Sequence, residues 1–189
     1  GTLLSGRYVE IKMYPLSFKE YIGALGENDL AIKYDNFSKY GSFPYIISLD
    51  DDISKRTYLQ GLYNTILVKD IMQHNNISDV TTLEKIIEFM YSNISKLTSS
   101  NSIANTMTSN GHKITQPTVE NYIKYLIDAN IFIKAKKYDI LGKQHLTDNA
   151  GVKYYATELG LRYFVLGNKN IDLGEILENI VYLELLRRG

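Results

Sequence analysis

Thr115, Gln116, Thr118, Asn121, Lys124 and Tyr125 place hydroxyl, amide, ammonium and phenol groups along one short stretch, and Lys136 and Lys137 follow it closely. In the same stretch Val119, Tyr122, Ile123, Leu126 and Ala129 recur at helical spacing, which fixes one apolar face and turns the polar groups away from it. Amide and hydroxyl side chains can bond base edges or phosphates, and ammonium groups neutralise phosphates. From His112 to His145 six lysines (113, 124, 134, 136, 137 and 143) stand against Glu120, Asp128 and Asp139. The chemistry this pattern suits is contact with duplex DNA. The alternative is a surface that docks another protein, with the lysines simply solvated.

Other chemistry finds little footing. His74, His112 and His145 are far apart and form no metal-ligand spacing, and no cysteine is present to serve as nucleophile or thiolate ligand. No G-x-x-x-x-G-K-[ST] phosphate loop, G-x-S-x-G elbow or H-E-x-x-H pair occurs. Asp50, Asp51 and Asp52 read as a helix N-terminus rather than a cation site, because hard cations need several converging oxygens. Glu175, Glu178 and Glu184 read as surface carboxylates and are assigned no catalysis. Neither a metal nor a cofactor is expected on this stretch of chain.

The 189 residues carry 21 basic and 21 acidic side chains, so no overall field recruits nucleic acid or anionic membrane, and any such contact must be local. A hydrophobic content of 44% is that of a globular protein. No apolar run is long enough to span a bilayer, and no signal-peptide layout opens the chain, so a cytoplasmic location without membrane contact is expected.

The elements that must position these groups are mostly helical. Tyr8 to Met13 alternates as a strand with no partner of its own, which is expected either to pair with a neighbouring chain, as in a homo-oligomer, or to lie disordered. Ser17 and Glu20 form a capping box before a helix to Leu25, Asn28 to Tyr40 is a second helix, and Asp50 opens a single long third one. Three helices (82–97, 102–109 and 117–129) precede strands at 131–139 and 152–156. That order is a winged helix-turn-helix with a small β-hairpin. The fold class is therefore mainly α (α+β), a helical lid-like subdomain followed by the winged helix. The largely apolar helix near the C-terminus, with Ile176, Leu177, Ile180, Val181, Leu183 and Leu185, calls for burial on more than one side.

The segments "TLLSGRYVEIKMYPLSFKEYI", "GSFP", "TVENYIKYLIDANIFIKAKKYDILGKQHL", "KYYATELGLR" and "LENIVYLELLRRG" together resemble, in order, the prokaryotic AAA+ superfamily ATPases that carry a C-terminal nuclease-like domain of unknown function. The resemblance implies that residues 1–16 are the last strand of an ATPase core, 17–78 the helical lid, 79–157 the winged helix and 158–189 the first helices of the nuclease-like domain. ATP and Mg would then belong to a parent protein and its missing core, with this segment non-catalytic. Arg7 would serve as an arginine finger, or else bond helix C-terminal carbonyls. The chain departs from the family pattern at Ser42, where a second glycine is common, and at Thr157-Glu158, where an aspartate commonly precedes the glycine. The other readings are a stand-alone winged-helix regulator and a protein interaction module.

Overall fold

The computed structural model describes residues 11, 13–26, 28–75, 77–135, 151–169 and 172–189. Arg7, Lys136, Lys137 and Lys143 lie outside them, as does most of the opening strand, of which Ile11 and Met13 are exposed and in neither helix nor strand.

Helix α1 (Phe18–Leu25) starts where the capping box predicts: the Ser17 hydroxyl accepts the Glu20 N–H at 3.2 Å, and the Ser17 N–H donates to Glu20 Oε2 at 2.8 Å. Helix α2 (Leu30–Tyr40) stops at Gly41, whose φ of 76° is open to glycine and strained for other residues. After a 3-10 turn at Pro44–Ser48, α3 (Asp52–Tyr63) is capped by Asp51, which accepts the Ser54 N–H at 2.8 Å. The single long helix expected from Asp50 is divided. A π-helical segment, Asn64–Met72, follows α3 and leads into α4 (Gln73–Asn75). At its start the Thr65 hydroxyl donates back to the Gly61 carbonyl at 2.8 Å, a bond that competes with the regular ladder beside a weak helix former.

Helix α5 (Val80–Ser92), strand β1 (Leu97–Thr98), helices α6 (Ser100–Ser109) and α7 (Gln116–Asp128), and strands β2 (Phe132–Lys134) and β3 (Val152–Ala156) follow. The expected first helix of this set ran to Leu97, but it ends at Ser92. Ser95 adopts φ 64° and donates its N–H to the Tyr154 carbonyl at 2.9 Å, so the chain leaves the helix to flank β3. The hairpin thereby gains a third strand. Both pairings are antiparallel, in the order β1-β3-β2, with Thr98 opposite Val152 and Ile133 opposite Tyr155. The observed order, helix, strand, helix, helix, strand, strand, thus differs from the three helices and two strands expected by the insertion of β1 after the first helix.

Helix α8 (Leu159–Leu166) packs on α2, α3 and α5, and α9 (Leu173–Arg188) lies against β3. Gly160 allows the first of these contacts, since a Cβ there would stand 2.1 Å from the Tyr40 carbonyl oxygen. One hydrophobic cluster runs from Tyr40, Ile46 and Leu59 through Leu83, Ile87 and Leu126 to Leu159, Leu166 and Ile176, crossing the expected boundaries at 78/79 and 157/158. Each fully buried Leu or Ile contributes roughly 1.5–3 kcal/mol relative to exposure, so this shared core ties the first helices, the three-stranded unit and α8 into one body. The architecture is mainly α (α+β). Among the described residues no helix is long and apolar enough to cross a membrane.

Candidate nucleic-acid interface

Helix α7 forms because Thr115 caps it and Pro117 falls in its first turn, where a missing N–H costs nothing. Its buried face is Val119, Tyr122, Ile123 and Leu126, as the spacing predicts, with Val119 and Leu126 wholly enclosed. Asn121 and Lys124 are exposed on the other side, and Thr118 and Tyr125 are half-buried at its margins. The Tyr125 ring stands edge-on to Tyr122 at 6.3 Å between centroids, which fixes the ring and leaves its rim at the surface.

Three of the expected contact residues, Thr115, Gln116 and Thr118, are engaged within the chain. The Thr115 hydroxyl accepts the Thr118 N–H at 3.4 Å and bonds the Thr118 hydroxyl at 2.8 Å, so it serves the cap. Gln116 Nε2 donates to Glu120 Oε1 at 2.9 Å. Asn121 and Lys124 are the two that α7 presents squarely outward. Lys136 and Lys137 lie outside the described residues.

Around α7, exposed Lys113, Lys124 and Lys134 stand with exposed Glu120 and Asp128, so the local excess of positive charge is small. A cleft of about 360 Å³ separates α7 from the sheet. Its floor is Ile123, Ile127 and Val152, and its rim includes Ser100, Glu120, Lys124 and Lys134. Hydrogen bonds from Gln116 and Ser100, with Lys134 nearby, hold the Glu120 carboxyl below the usual range. Glu120 and Ser100 were not singled out by sequence pattern. A lone acid on a helix carries no periodic signal, and the pairing of α6 with α7 appears only in three dimensions.

The turn between α6 and α7 is tied to α5 by His112. Its Nε2 lies 2.5 Å from the Thr82 hydroxyl, and the Lys85 ammonium is 3.3 Å from its Nδ1. Lys85 can only donate, so Nδ1 accepts and Nε2 carries the proton toward Thr82, which in turn donates to Asp79. This chain of bonds fixes where α7 begins relative to α5.

The α9 carboxylates are paired with cations. Glu175 meets Lys96 at 2.5 Å, Glu178 meets Lys153 at 2.7 Å and also accepts from the Tyr155 hydroxyl, and Glu184 pairs with Arg187 and Arg188. Among the described residues no three His, Asp or Glu side chains converge as a metal site would require. Ser42 and Glu158 meet each other. Glu158 is buried, and its Oε1 accepts the N–H groups of Ser42 at 2.9 Å and Gly160 at 3.0 Å.

The chain belongs to the family described as a domain of unknown function, DUF8612, which matches residues 32–172. It is 42% identical over 193 residues to an uncharacterized protein of Haemophilus influenzae, an alignment covering 100% of this chain and 48% of that protein. With an uncharacterized protein of Methanocaldococcus jannaschii the identity is 26% over 206 residues, covering 100% of this chain and 44% of the relative. The chain thus spans about half the length of the curated relatives it matches. No solved structure matches it.

Proposed function

We propose that this member of the DUF8612 family is a non-catalytic winged-helix segment of a longer protein of the AAA+ ATPase type, and that α7 and the β2–β3 connection contact duplex DNA. The observation that carries the reading is the segregation of α7: one face is locked into the core, while Asn121 and Lys124 face outward beside a lysine-bearing hairpin. The relatives, about twice as long, leave room for a core that would hold ATP and Mg, and no residue here is assigned to bind either. This chain has no phosphate loop of its own. A cytoplasmic location, assembly into homo-oligomers and an Arg7 arginine finger belong to the same proposal. A stand-alone winged-helix regulator would use the same α7 surface.

Fluorescence anisotropy with a labelled duplex tests the reading. Lys124→Glu is expected to weaken binding on all sequences alike, whereas Asn121→Ala is expected to lower discrimination between sequences more than affinity. Equal binding by wild type and both variants would remove α7 from the interface.

A second reading, a protein interaction module, draws on α9. Leu173, Leu177, Val181 and Leu185 recur every fourth residue and are all exposed, so they line one stripe of the helix.

A further inference from the structure

We infer that the cleft between α7 and the sheet is a phosphate-binding site occupied by the chain's own Glu120, which competes with an incoming nucleic-acid backbone. The inference rests on the assignment of α7 to a nucleic-acid interface and names the residue that regulates it.

Three kinds of donor converge there. The Ser100 hydroxyl and the Gln116 amide both bond Glu120 Oε1, each at 2.9 Å, although they come from two different helices. Lys124 and Lys134 complete the rim. A hydroxyl, an amide and two ammonium groups around one space are what a singly charged oxyanion requires, and the Glu120 carboxylate is such an anion. A phosphodiester carries the same charge and presents two non-bridging oxygens to the same donors.

Glu120 is exposed, so its side chain can rotate out to solvent while α7 stays in place. Its two hydrogen bonds lie at the surface, where water replaces them readily, so a phosphate can displace the carboxylate. While Glu120 remains in the cleft, the mixed charge around α7 lowers affinity for DNA. Once it leaves, the Ser100 hydroxyl, the Gln116 amide and the Lys124 ammonium can turn to the backbone, with the charge of Lys134 nearby.

Glu120→Gln keeps the helix and a side chain of the same shape while removing the charge. Two titrations read its effect: duplex DNA followed by anisotropy, and inorganic phosphate followed by the backbone amide signal of Ser100 in NMR. Glu120→Gln is expected to bind the duplex roughly three- to tenfold more tightly at low salt, the range expected for removing one like charge at a partly solvated contact. It is also expected to show the Ser100 response at lower phosphate concentration than wild type. Asp128→Asn removes the same charge from the same helix away from the cleft and is expected to do less in both titrations. Adding Ser100→Ala to Glu120→Gln should reverse the gain.

If Glu120→Gln matches wild type in both titrations, or Asp128→Asn matches Glu120→Gln, the competing role of Glu120 is overturned even where DNA is bound. If phosphate reaches Ser100 more readily in Glu120→Gln and neither protein binds duplex, the anion site stands and the nucleic-acid reading falls.

Discussion

Ser42 and Glu158, 116 positions apart, meet in the core: the Ser42 N–H donates to Glu158 Oε1 at 2.9 Å, and its hydroxyl lies 3.5 Å from Oε2. The same Oε1 accepts the Gly160 N–H, so one carboxyl joins the turn after α2 to the start of α8. The N–H donors favour the charged carboxylate, but complete burial outweighs them and raises the pKa from 4.5 to about 7.

This contact makes stability depend on pH with a defined sign. The folded state holds the Glu158 proton more tightly than the unfolded chain, so its contribution is full below pH 4.5, declines as pH rises toward about 7 and is level above that. Glu158→Gln mimics the protonated acid, keeping an acceptor for both N–H groups. Denaturant unfolding of the two proteins should therefore diverge between pH 4.5 and 7, with the variant gaining on the order of 3 kcal/mol relative to wild type by pH 8. Parallel pH profiles would contradict the buried, neutral carboxyl.

Close backbone approach at the same junction predicts two intolerant glycines. Gly160→Ala would place a Cβ 2.1 Å from the Tyr40 carbonyl oxygen and 2.9 Å from Leu59 Cδ2. Gly41→Ala would place one 1.4 Å from Glu158 Oε1, at a φ of 76°. Each is expected to lower stability by at least about 2–3 kcal/mol, read as a fall in the denaturation midpoint. Gly61→Ala meets nothing within 4 Å and serves as the tolerated control.

Asn179 acts as a strand partner supplied by a helix. Wholly buried on α9, it accepts the Ala156 N–H at 2.8 Å and donates to the Ala156 carbonyl at 2.9 Å. Asn179→Ala leaves both backbone groups unsatisfied, and a loss of roughly 2–4 kcal/mol is expected. Hydrogen exchange at the Ala156 amide should accelerate more than at Tyr154. Unchanged exchange would show that α9 does not hold β3.

The apolar stripe on α9 is predicted to be dispensable for folding. Val181→Lys and Leu185→Lys replace side chains that are 48% and 61% exposed, so each should change stability by no more than about 0.5 kcal/mol. Self-association at high concentration should fall if the stripe is sticky, which analytical ultracentrifugation reads directly. A large stability loss would mean that the stripe is covered within the chain.

Local signals were legible in the sequence and distant ones were not. Ser17 and Glu20 marked the start of α1 because a capping box involves neighbours three apart. The two faces of α7 followed from 3.6-residue spacing. The end of α5 at Ser92 was missed because it depends on Ser95 bonding Tyr154, a pairing that no local pattern encodes. Glu158 stood out only as a departure from a family pattern, and its partner Ser42 as another. Their contact depends on how α8 packs, so neither explained the other until the fold was known. Glu120 was visible as one acid among lysines, while the donor Ser100 that gives it meaning lies twenty residues earlier on another helix.

The most direct measurement of the central claim is the salt dependence of duplex binding by this chain, followed by anisotropy. Lys113, Lys124 and Lys134 in the described surface, with the lysines of the hairpin connection, predict a log–log slope of about −2 to −5, since each neutralised phosphate contributes about −0.9. Binding in the micromolar range at low salt with that slope, reduced by about one unit in Lys124→Glu, is the predicted result. Absent binding, or binding indifferent to salt, would contradict the nucleic-acid role and leave the interaction module as the account of this fold.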